Sequence, residues 1–456
     1  MIRPAIEKWY KDNEKKVDSF ARYLWENPED AHHEYLACRA NADFLRSEGF
    51  EVKTFNARGD DAPDTAIIAT FGSGRPVVGI YGEYDALPGL GQNDVPYRDE
   101  KEGCGHGCGH NLMAAGCASA VAAAKAAMLA EDLKGTIVYI GCPAEEGGCG
   151  KMYMLQDGYF DMLDCMLGWH PRTNDLAIGE KIQMTMGHAV IEFYGVSAHA
   201  AVDPENGRSA LDACELMNVG VNYLREHCSD DVRIHYSYLA AGEKPNVVPR
   251  YAALDYYFRS KDLETCYKLS ERIKKVAYGA AMMTETECVF NVDYIHSGCQ
   301  PLTSFNAFLY DSISKLPPLT YTAEEYAYAD RLYKEYGGNE PPKGLTSLPT
   351  GIQKPRGEFY FASGSTDVGC VTYKIPTARI FGLGMCRNVA MHSWGAVATT
   401  GNSIGFKAAR YAGAGLAECA CDIFAKPEKV KEFSDELKKR LEGKFTTQVF
   451  PKRKDK

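Results

Sequence analysis

The sequence predicts an α/β protein: a larger domain with a mostly parallel central sheet and helices on both faces, interrupted by an inserted ferredoxin-like α+β domain. Three observations predict this fold. Over the first 180 residues, short apolar runs alternate with helical patterns, which favours a largely parallel sheet. Polar residues directly follow the apolar runs. From about residue 187 the order of elements becomes β-α-β-β-α-β, the order of a ferredoxin-like unit.

Three strands are predicted in the first part of the larger domain. They lie in "RPVVGIYGEYDALPG" (75–89), "GTIVYIGCPAEEGG" (135–148) and "DCMLGWHP" (164–171). Between the first two, the alanine-rich "NLMAAGCASAVAAAKAAMLA" predicts a buried helix. Open α/β sheets place their sites at the carboxyl ends of the strands. The polar residues that end these strands are therefore candidate functional groups.

The inserted domain is predicted over 187–301, between a first part of the larger domain at 1–186 and a second part at 302–456. "HAVIEFYGVSAHAA" predicts its first strand and "DLETCYKLSERIKKVAYGAAMM" its second helix. Residues 302–360 are rich in proline and glycine. They predict a long excursion to which the sequence assigns no role.

Composition and charge narrow the function classes. The 456 residues are enough for two or three domains. The net charge of -10 disfavours binding to nucleic acid or to a membrane, since both need a positive protein face. The N-terminal residues predict an amphipathic helix through Ile6, Trp9 and Val17 rather than a signal peptide. Without an export signal, the 16 cysteines are expected mainly as reduced core thiols in a cytoplasmic protein.

The stretch "CGHGCGHN" (104–111) concentrates four possible metal ligands: Cys104, His106, Cys108 and His110. A structural zinc site usually closes two separated ligand pairs, and no later pair completes this one. The stretch leads directly into the alanine-rich helix, with Asn111 as the predicted N-cap. Its glycines let the backbone pass close to a bound group. These features favour a catalytic metal site over a structural zinc site or a plain loop.

Three further stretches place polar groups after apolar runs. "CPAEEGG" carries the adjacent carboxylates Glu145 and Glu146, which point in different directions, so that one can bind metal while the other transfers protons. "GWHP" holds His170, and "MHSW" holds His392 before a helix of small residues. Each has an ordinary alternative as a solvated carboxylate pair or a core histidine. Together they favour one metal site.

The candidate metal ligands form a mixed set of nitrogen, oxygen and sulfur donors: Cys108, His110, Glu146, His170 and His392. Five ligands exceed one tetrahedral ion and suit two adjacent divalent ions, which lower the pKa of a bridging water and polarise a carbonyl. Cys108 favours Zn²⁺, whereas the carboxylate and the imidazoles tolerate Mn²⁺. Glu145 would then act as general base on that water and as acid toward the leaving amine.

The ordered motifs "GEYDALPGLGQ", "GHGCGHNLMAAG", "GCPAEEGGCGK", "WHP", "SAHAA", "PNVVP", "GSTDVG" and "MHSWGAVATTG" run nearly end to end. In this order the chain resembles the metal-dependent amidohydrolases related to aminoacylase, hippurate hydrolase and plant auxin-conjugate hydrolases. The resemblance implies a catalytic domain split by a lid domain that also dimerises. It implies two ions, Mn²⁺ or Zn²⁺, on the five ligands above. Many relatives have His-x-Asp where this chain has Glu83-Tyr84-Asp85, so a histidine ligand is absent and Asp85 is expected to orient another ligand.

The resemblance also assigns residues in the lid and near the end of the chain. His199 of "SAHAA" matches a histidine that reaches the partner subunit's active site and steadies the oxyanion. Asn246 and Arg259 match positions that contact substrate; an arginine suits a carboxylate, with a strand-end salt bridge as the alternative for Arg259. "GSTDVG" matches a segment that lines the pocket, with an ordinary turn as the alternative; its polar residues are Ser365, Thr366 and Asp367.

Three hypotheses for function follow. The leading one is hydrolysis of the amide bond in N-acyl or N-aroyl amino acids similar to aminobenzoyl-glutamate. A second keeps the site but cleaves dipeptides, such as those with β-alanine or a basic residue. A third is a non-catalytic metal-binding subunit, which would predict a lost ligand or base, whereas all six positions are intact. The expected partners are a small N-acyl amino acid and a second copy bound through the lid, or a related subunit in a hetero-oligomer.

Overall fold

The computed structural model of the chain describes residues 1–338 and 340–453. Its strands are β1 Glu51–Phe55, β2 Ala66–Ser73, β3 Val77–Glu83, β4 Leu87–Pro88, β5 Gly91–Gln92, β6 Glu100–Lys101, β7 Cys104–Gly105, β8 Gly135–Cys142, β9 Cys165–Arg172, β10 Ala177–Ile178, β11 Lys181–Gln183, β12 Thr185–Tyr194, β13 Arg233–Ala241, β14 Tyr251–Ser260, β15 Glu287–His296, β16 Tyr360–Ala362 and β17 Thr377–Gly384. Its α-helices are α1 Pro4–Glu26, α2 Tyr35–Ser47, α3 His110–Glu131, α4 Gly150–Gln156, α5 Ala210–Arg225, α6 Leu263–Thr284, α7 Thr303–Ile313, α8 Ala323–Glu335, α9 Val368–Thr372, α10 Trp394–Thr400, α11 Ser403–Ala425 and α12 Lys429–Leu441.

A seven-stranded sheet forms the centre of the larger domain, in the order β1-β2-β8-β3-β9-β17-β10. Its four central strands, β8, β3, β9 and β17, are parallel, whereas the pairings toward both edges are antiparallel. Every residue of β8 is buried, as expected for a strand covered on both faces. Helices α3 and α11 pack against the central strands, α2 against β1 and β2, and α7 against β17 and β10. The predicted α/β fold is confirmed.

Four antiparallel strands and two helices form the inserted domain. The chain order is β12-α5-β13-β14-α6-β15 and the spatial order is β13-β14-β12-β15, the predicted ferredoxin-like arrangement. Ser209 and Asp262 cap α5 and α6, because each side chain accepts a hydrogen bond from a backbone N–H three residues later. Strand β12 begins at Thr185 and α7 begins at Thr303. The domain boundaries at 186/187 and 301/302 stay a prediction.

Helix α3 is the predicted alanine-rich core helix. Among the described residues it alone has the length and apolar composition that would suit a membrane span, but 83% of its most apolar window is buried within the protein. The prediction that Asn111 caps this helix is wrong. Gly109, with φ of 79°, turns the chain so that α3 already begins at His110. The side-chain amide of Asn111 instead donates to the carbonyl of Thr400 at 3.0 Å.

The 302–360 segment, to which the sequence assigned no role, packs against the chain that follows β17. The apolar face of α8 forms a small core with residues of α10 and α11. Just after α8, Tyr336 Oη lies 2.6 Å from Ser393 Oγ and accepts the N–H of Gly395 at 2.9 Å. The segment therefore braces the loop that carries His392.

Candidate active site

Polar side chains from the ends of β8 and β9, the approach to α3 and the loop before α10 line one pocket of about 150 Å³. Because β3, β8 and β9 are parallel neighbours, their carboxyl ends meet at one edge of the sheet. His110 joins the pocket residues from the first turn of α3. A larger cleft of about 560 Å³ in the lid carries none of the candidate ligands. Those that line the smaller pocket are Cys108, Glu146, His170 and His392, with Glu145 beside them.

Of the four groups of possible ligand atoms in this region, two consist only of the predicted ligands, and they overlap. Cys108, His110 and His170 offer ligand atoms within 4.8 Å of one another, and so do Cys108, Glu146 and His392. Cys108 Sγ lies 3.4 Å from His170 Nε2, and His392 Nε2 lies 3.1 Å from Glu146 Oε1. Cys108 belongs to both groups. Its sulfur is therefore placed to serve two neighbouring ions.

A buried ligand atom in this site, His110 Nε2, lacks a hydrogen-bond partner among the described residues. Buried polar atoms in proteins are nearly always paired, so this atom points to a missing bound group. His110 Nε2 is 3.4 Å from Glu83 Oε2, which is long for a hydrogen bond. Imidazole, carboxylate and thiolate donors suit Zn²⁺ or Mn²⁺. The residues present therefore fit divalent metal ions.

Asp85 connects two of the candidate ligands. Its Oδ1 accepts a hydrogen bond from His110 Nδ1 at 2.9 Å, and its Oδ2 accepts the backbone N–H of Glu146 at 2.8 Å. The first bond leaves His110 Nε2 free to bind metal, as carboxylate–histidine pairs do at metal sites. Asp85 is buried and does not line the pocket. Its contacts suit an orienting role rather than direct contact with a substrate.

Strained backbone sets the direction of two site residues. Ala144, just before Glu145, has φ of 55°, and His392 itself has φ of 57°. A non-glycine residue in this region costs on the order of 1–3 kcal/mol. Hydrogen bonds hold both conformations: the N–H of Ala144 donates to Glu34 Oε1 at 2.7 Å, and the N–H of His392 donates to the carbonyl of Gly107 at 2.9 Å.

A buried ion cluster beside the pocket is the main feature that sequence reasoning missed. Lys151 in α4 is fully buried, and its Nζ lies 2.5 Å from Glu83 Oε1 and 2.7 Å from Asp367 Oδ1. The carboxylate that replaces a histidine of many relatives is thus balanced by a lysine. Asp367, expected to line the pocket, pairs with Lys151 instead. The feature of the sequence that could have indicated this cluster is the lysine among the apolar residues of "GKMYMLQ", most of which are buried.

Burial and neighbouring charge shift the pKa values of several groups in the pocket, among them Glu145 and His170. Burial, together with the carboxylates of Glu83 and Glu146, raises the pKa of Glu145 well above its usual range. A carboxylate with a raised pKa accepts a proton more readily than an ordinary one, as a general base must. Burial lowers the pKa of His170 well below its usual range. The imidazole is therefore neutral, the form that binds metal.

The substrate-contact residues predicted in the lid are placed unequally. Arg259 in β14 donates from Nη1 to Ser365 Oγ at 3.3 Å, and Ser365 lines the pocket. No carboxylate of the described chain lies within 4 Å of Arg259, so the strand-end salt bridge is not observed there. His199 and Asn246 are exposed, and the carbonyl of Asn246 accepts the N–H of Ala200 at 3.1 Å. Neither His199 nor Asn246 lines the pocket of the same chain.

The first half of "CGHGCGHN" stays outside the ligand groups. His106 is buried and donates from Nε2 to the carbonyl of Leu24 at 3.1 Å. Cys104 lies in the short strand β7, paired with β4. The four cysteine and histidine residues of this stretch therefore do not converge on one zinc ion in the described structure.

Comparison with known proteins defines the class of protein. Residues 79–394, which include all the candidate ligands, match the family described as Peptidase family M20/M25/M40. The chain belongs to this family. Its relatives are hydrolases, and the protein is an enzyme that acts on amide bonds.

Individual relatives agree with this family. One of the subunits of the p-aminobenzoyl-glutamate hydrolase of Escherichia coli (strain K12) is 32% identical over 451 residues, covering 93% of this chain and 91% of the relative. The Xaa-Arg dipeptidase of Homo sapiens is 28% identical, covering 94% and 90%. Two solved structures share the fold at 18% identity. The first, a dinuclear metal-binding M20 peptidase from Bacillus subtilis, has a TM-score of 0.59 and covers 91% of this chain and 99% of its own. The second, an aminobenzoyl-glutamate utilization protein from Klebsiella pneumoniae, has a TM-score of 0.63 and covers 91% of this chain and 98% of its own. The resemblance stated from the sequence motifs is confirmed.

Proposed function

We propose that this protein is a metal-dependent amidohydrolase that cleaves the amide bond of N-acyl or N-aroyl amino acids similar to aminobenzoyl-glutamate. The observation that supports this function is the convergence of five candidate ligands and one further carboxylate, Glu145, at one sheet edge. The similarity to a p-aminobenzoyl-glutamate hydrolase supports an aroyl amino acid as substrate.

Two divalent ions, Mn²⁺ or Zn²⁺, are the proposed cofactors. Cys108, His110 and His170 would hold one ion, and Cys108, Glu146 and His392 would hold the other, as their spacing allows. When bound, such a pair polarises the scissile carbonyl and lowers the pKa of a water molecule.

Glu145 is the proposed general base and acid. As a carboxylate it would take a proton from the attacking water, for which its raised pKa makes it a stronger base. Once protonated, it would deliver that proton to the nitrogen of the leaving amino acid. Arg259 would bind a substrate carboxylate, because its guanidinium has no internal carboxylate partner in the described chain. Ser365 holds that guanidinium at the pocket. Asp85 keeps His110 oriented throughout.

A substrate panel with metal analysis tests this function. We expect the protein, loaded with Mn²⁺ or Zn²⁺, to cleave p-aminobenzoyl-glutamate and hippurate faster than dipeptides with β-alanine or a basic residue. Turnover should disappear after dialysis against a chelator and return with the ion. Cleavage of dipeptides alone would favour the dipeptidase hypothesis. Two bound ions without cleavage of any amide would favour a non-catalytic role.

The lid, taken as 187–301, is proposed to dimerise the protein. Its edge strand β13 exposes Tyr238 and Leu239, and the outer face of α5 exposes Val219 and Tyr223. An unpaired edge strand beside exposed apolar side chains favours pairing with a second copy. In such a dimer the partner subunit's His199 would complete the oxyanion site. A related chain in place of the second copy is the alternative.

The proposed location is the cytoplasm, which suits the sixteen free cysteines.

Replacing Leu239 and Tyr223 together by arginine should convert the dimer to a monomer of 50.3 kDa, because charged side chains oppose edge pairing. Light scattering coupled to gel filtration measures the mass. Turnover should fall with the loss of the dimer, since His199 would no longer reach a second site. Leu129→Arg, at an exposed position of the larger domain, is the matched control. A wild-type monomer with full activity would contradict this proposal.

A further inference from the structure

The pocket that carries the candidate ligands also carries two positive side chains that the proposed mechanism does not use. Arg172 ends β9 two residues after His170, and Arg379 lies in the neighbouring strand β17; both line the pocket. Their guanidinium carbons lie 5.3 Å and 4.9 Å from the ring centre of Phe381. The two cations are therefore held on one aromatic side chain, in the same pocket as Glu145.

Neither guanidinium forms an internal ion pair. No carboxylate within the described ranges lies within 4 Å of either one, whereas the fully buried Lys151 has two such partners. Arg379 Nη2 donates to the neutral amide oxygen of Gln183 at 2.8 Å. Arg172 Nε is buried without a hydrogen-bond partner.

An unpaired buried donor on a charged group is costly, and a second cation beside it raises the cost. A further cation lies nearby. Burial lowers the pKa of Lys181, and the positive charges of Arg172 and Arg356 lower it further. The whole chain carries a net charge of -10. The pocket also holds Glu83, Glu145 and Glu146, so its attraction for an anion would come from the two guanidinium groups together with the proposed metal ions.

We propose that Arg172 and Arg379 form a carboxylate-binding subsite, so that the substrate carries a second carboxylate besides the one assigned to Arg259. A carboxylate seated there would supply both the missing charge and the missing partner of Arg172 Nε, in the bidentate geometry that guanidinium groups favour. The substrate class is then the N-acyl derivative of an acidic amino acid. A dipeptide ending in a basic residue is disfavoured, because its cation would face two guanidinium groups.

The inference rests on the proposed function for its substrates, and a matched pair tests it. N-benzoyl-glutamate and N-benzoyl-glutamine have nearly the same shape and differ in the side-chain charge. We expect the wild-type enzyme to prefer the glutamate compound by about 100-fold in kcat/KM, and Arg172→Gln to reduce that ratio to about 3-fold or less. Arg379→Gln should act in the same direction. Arg356→Gln, which removes an exposed cation that does not line the pocket, should change the ratio by less than about 3-fold.

Two further measurements separate binding from hydrolysis and from folding. Glutarate titrated calorimetrically into the metal-loaded protein should bind about 10–100-fold more weakly to Arg172→Gln than to wild type. The melting temperature of this variant should stay close to that of wild type, because Arg172 has no carboxylate partner to lose and gives up only its contact with Phe381. A marked fall would assign Arg172 a structural role and overturn the inference.

Each remaining outcome is decisive. Equal cleavage of the two benzoyl substrates by wild type overturns the subsite and leaves amide hydrolysis standing. Failure to cleave either substrate, with glutarate binding that depends on Arg172, contradicts the proposed function and keeps the subsite. Glutarate binding that is unchanged in Arg172→Gln overturns the subsite in either case.

Discussion

Glu145→Gln should lower kcat on the best substrate of the panel by about 10²–10⁴-fold while the protein keeps its metal. Glutamine has the same shape but cannot accept the proton of the attacking water or return one to the leaving amine. Burial and the carboxylates of Glu83 and Glu146 raise the pKa of Glu145. A glutamine at this position does not titrate, so the same surroundings cannot make it a base. Steady-state kinetics and elemental analysis of the same sample give the two readouts.

The neighbouring carboxylate provides the matched control for this substitution. Glu146→Gln removes a candidate ligand that groups with Cys108 and His392, so it should reduce both the metal content and the turnover. The pair of variants therefore separates proton transfer from metal binding at adjacent positions. Full activity of Glu145→Gln would refute the proposed mechanism. Loss of metal from Glu145→Gln would make Glu145 a ligand rather than the base.

Lys151→Met should lower the free energy of unfolding by about 3–5 kcal/mol. Methionine fills a similar volume, but its introduction leaves the buried carboxylates of Glu83 and Asp367 without their counter-charge. Removing one partner from a buried ion cluster costs more than the cluster's own net contribution to stability, since the remaining charges stay desolvated. Urea denaturation of metal-free protein measures the effect without the added stability from bound ions.

A surface ion pair gives the scale for this loss. Lys374→Met breaks the exposed pair with Asp161 and should cost about 0.5 kcal/mol or less. Adding Asp367→Asn to Lys151→Met should recover part of the stability, because one of the unpaired charges is removed. A loss below about 1 kcal/mol for Lys151→Met would mean that solvent or relaxation reaches this cluster, contrary to its burial.

Patterns that lie within one stretch of chain were predictable from the sequence. Alternating apolar runs predicted the central strands, and the β-α-β-β-α-β order predicted the lid. Residues that follow an apolar strand, such as Glu146 and His170, could be proposed as neighbours because parallel strands end at one edge. His392 was proposed from a different feature, its position before a helix of small residues.

Features that depend on contacts between distant parts of the chain, or on local backbone geometry, were not predictable from the sequence. Lys151 becomes a counter-charge because α4 brings it to Glu83, a residue far earlier in the chain. Arg172 and Arg379 share Phe381 because β9 and β17 pair, although about 200 residues separate them. The N-cap of α3 depended on the φ angle of Gly109 rather than on the capping preference of Asn111. Asp367 had the expected composition of a pocket residue but faces a buried lysine.

The spacing of the candidate ligands along the chain would make assembly of the proposed metal centre a late event in synthesis. One ligand group is complete once His170 has been made, but the other waits for His392, which follows the whole lid. Tyr336, which braces the loop of His392, is also made after the lid. A growing chain therefore carries the thiol of Cys108 and the imidazoles of His110 and His170 long before it could enclose the proposed pair of ions. On the proposed ligand assignment, the second ion could bind only after the lid has been made between the two halves of the larger domain.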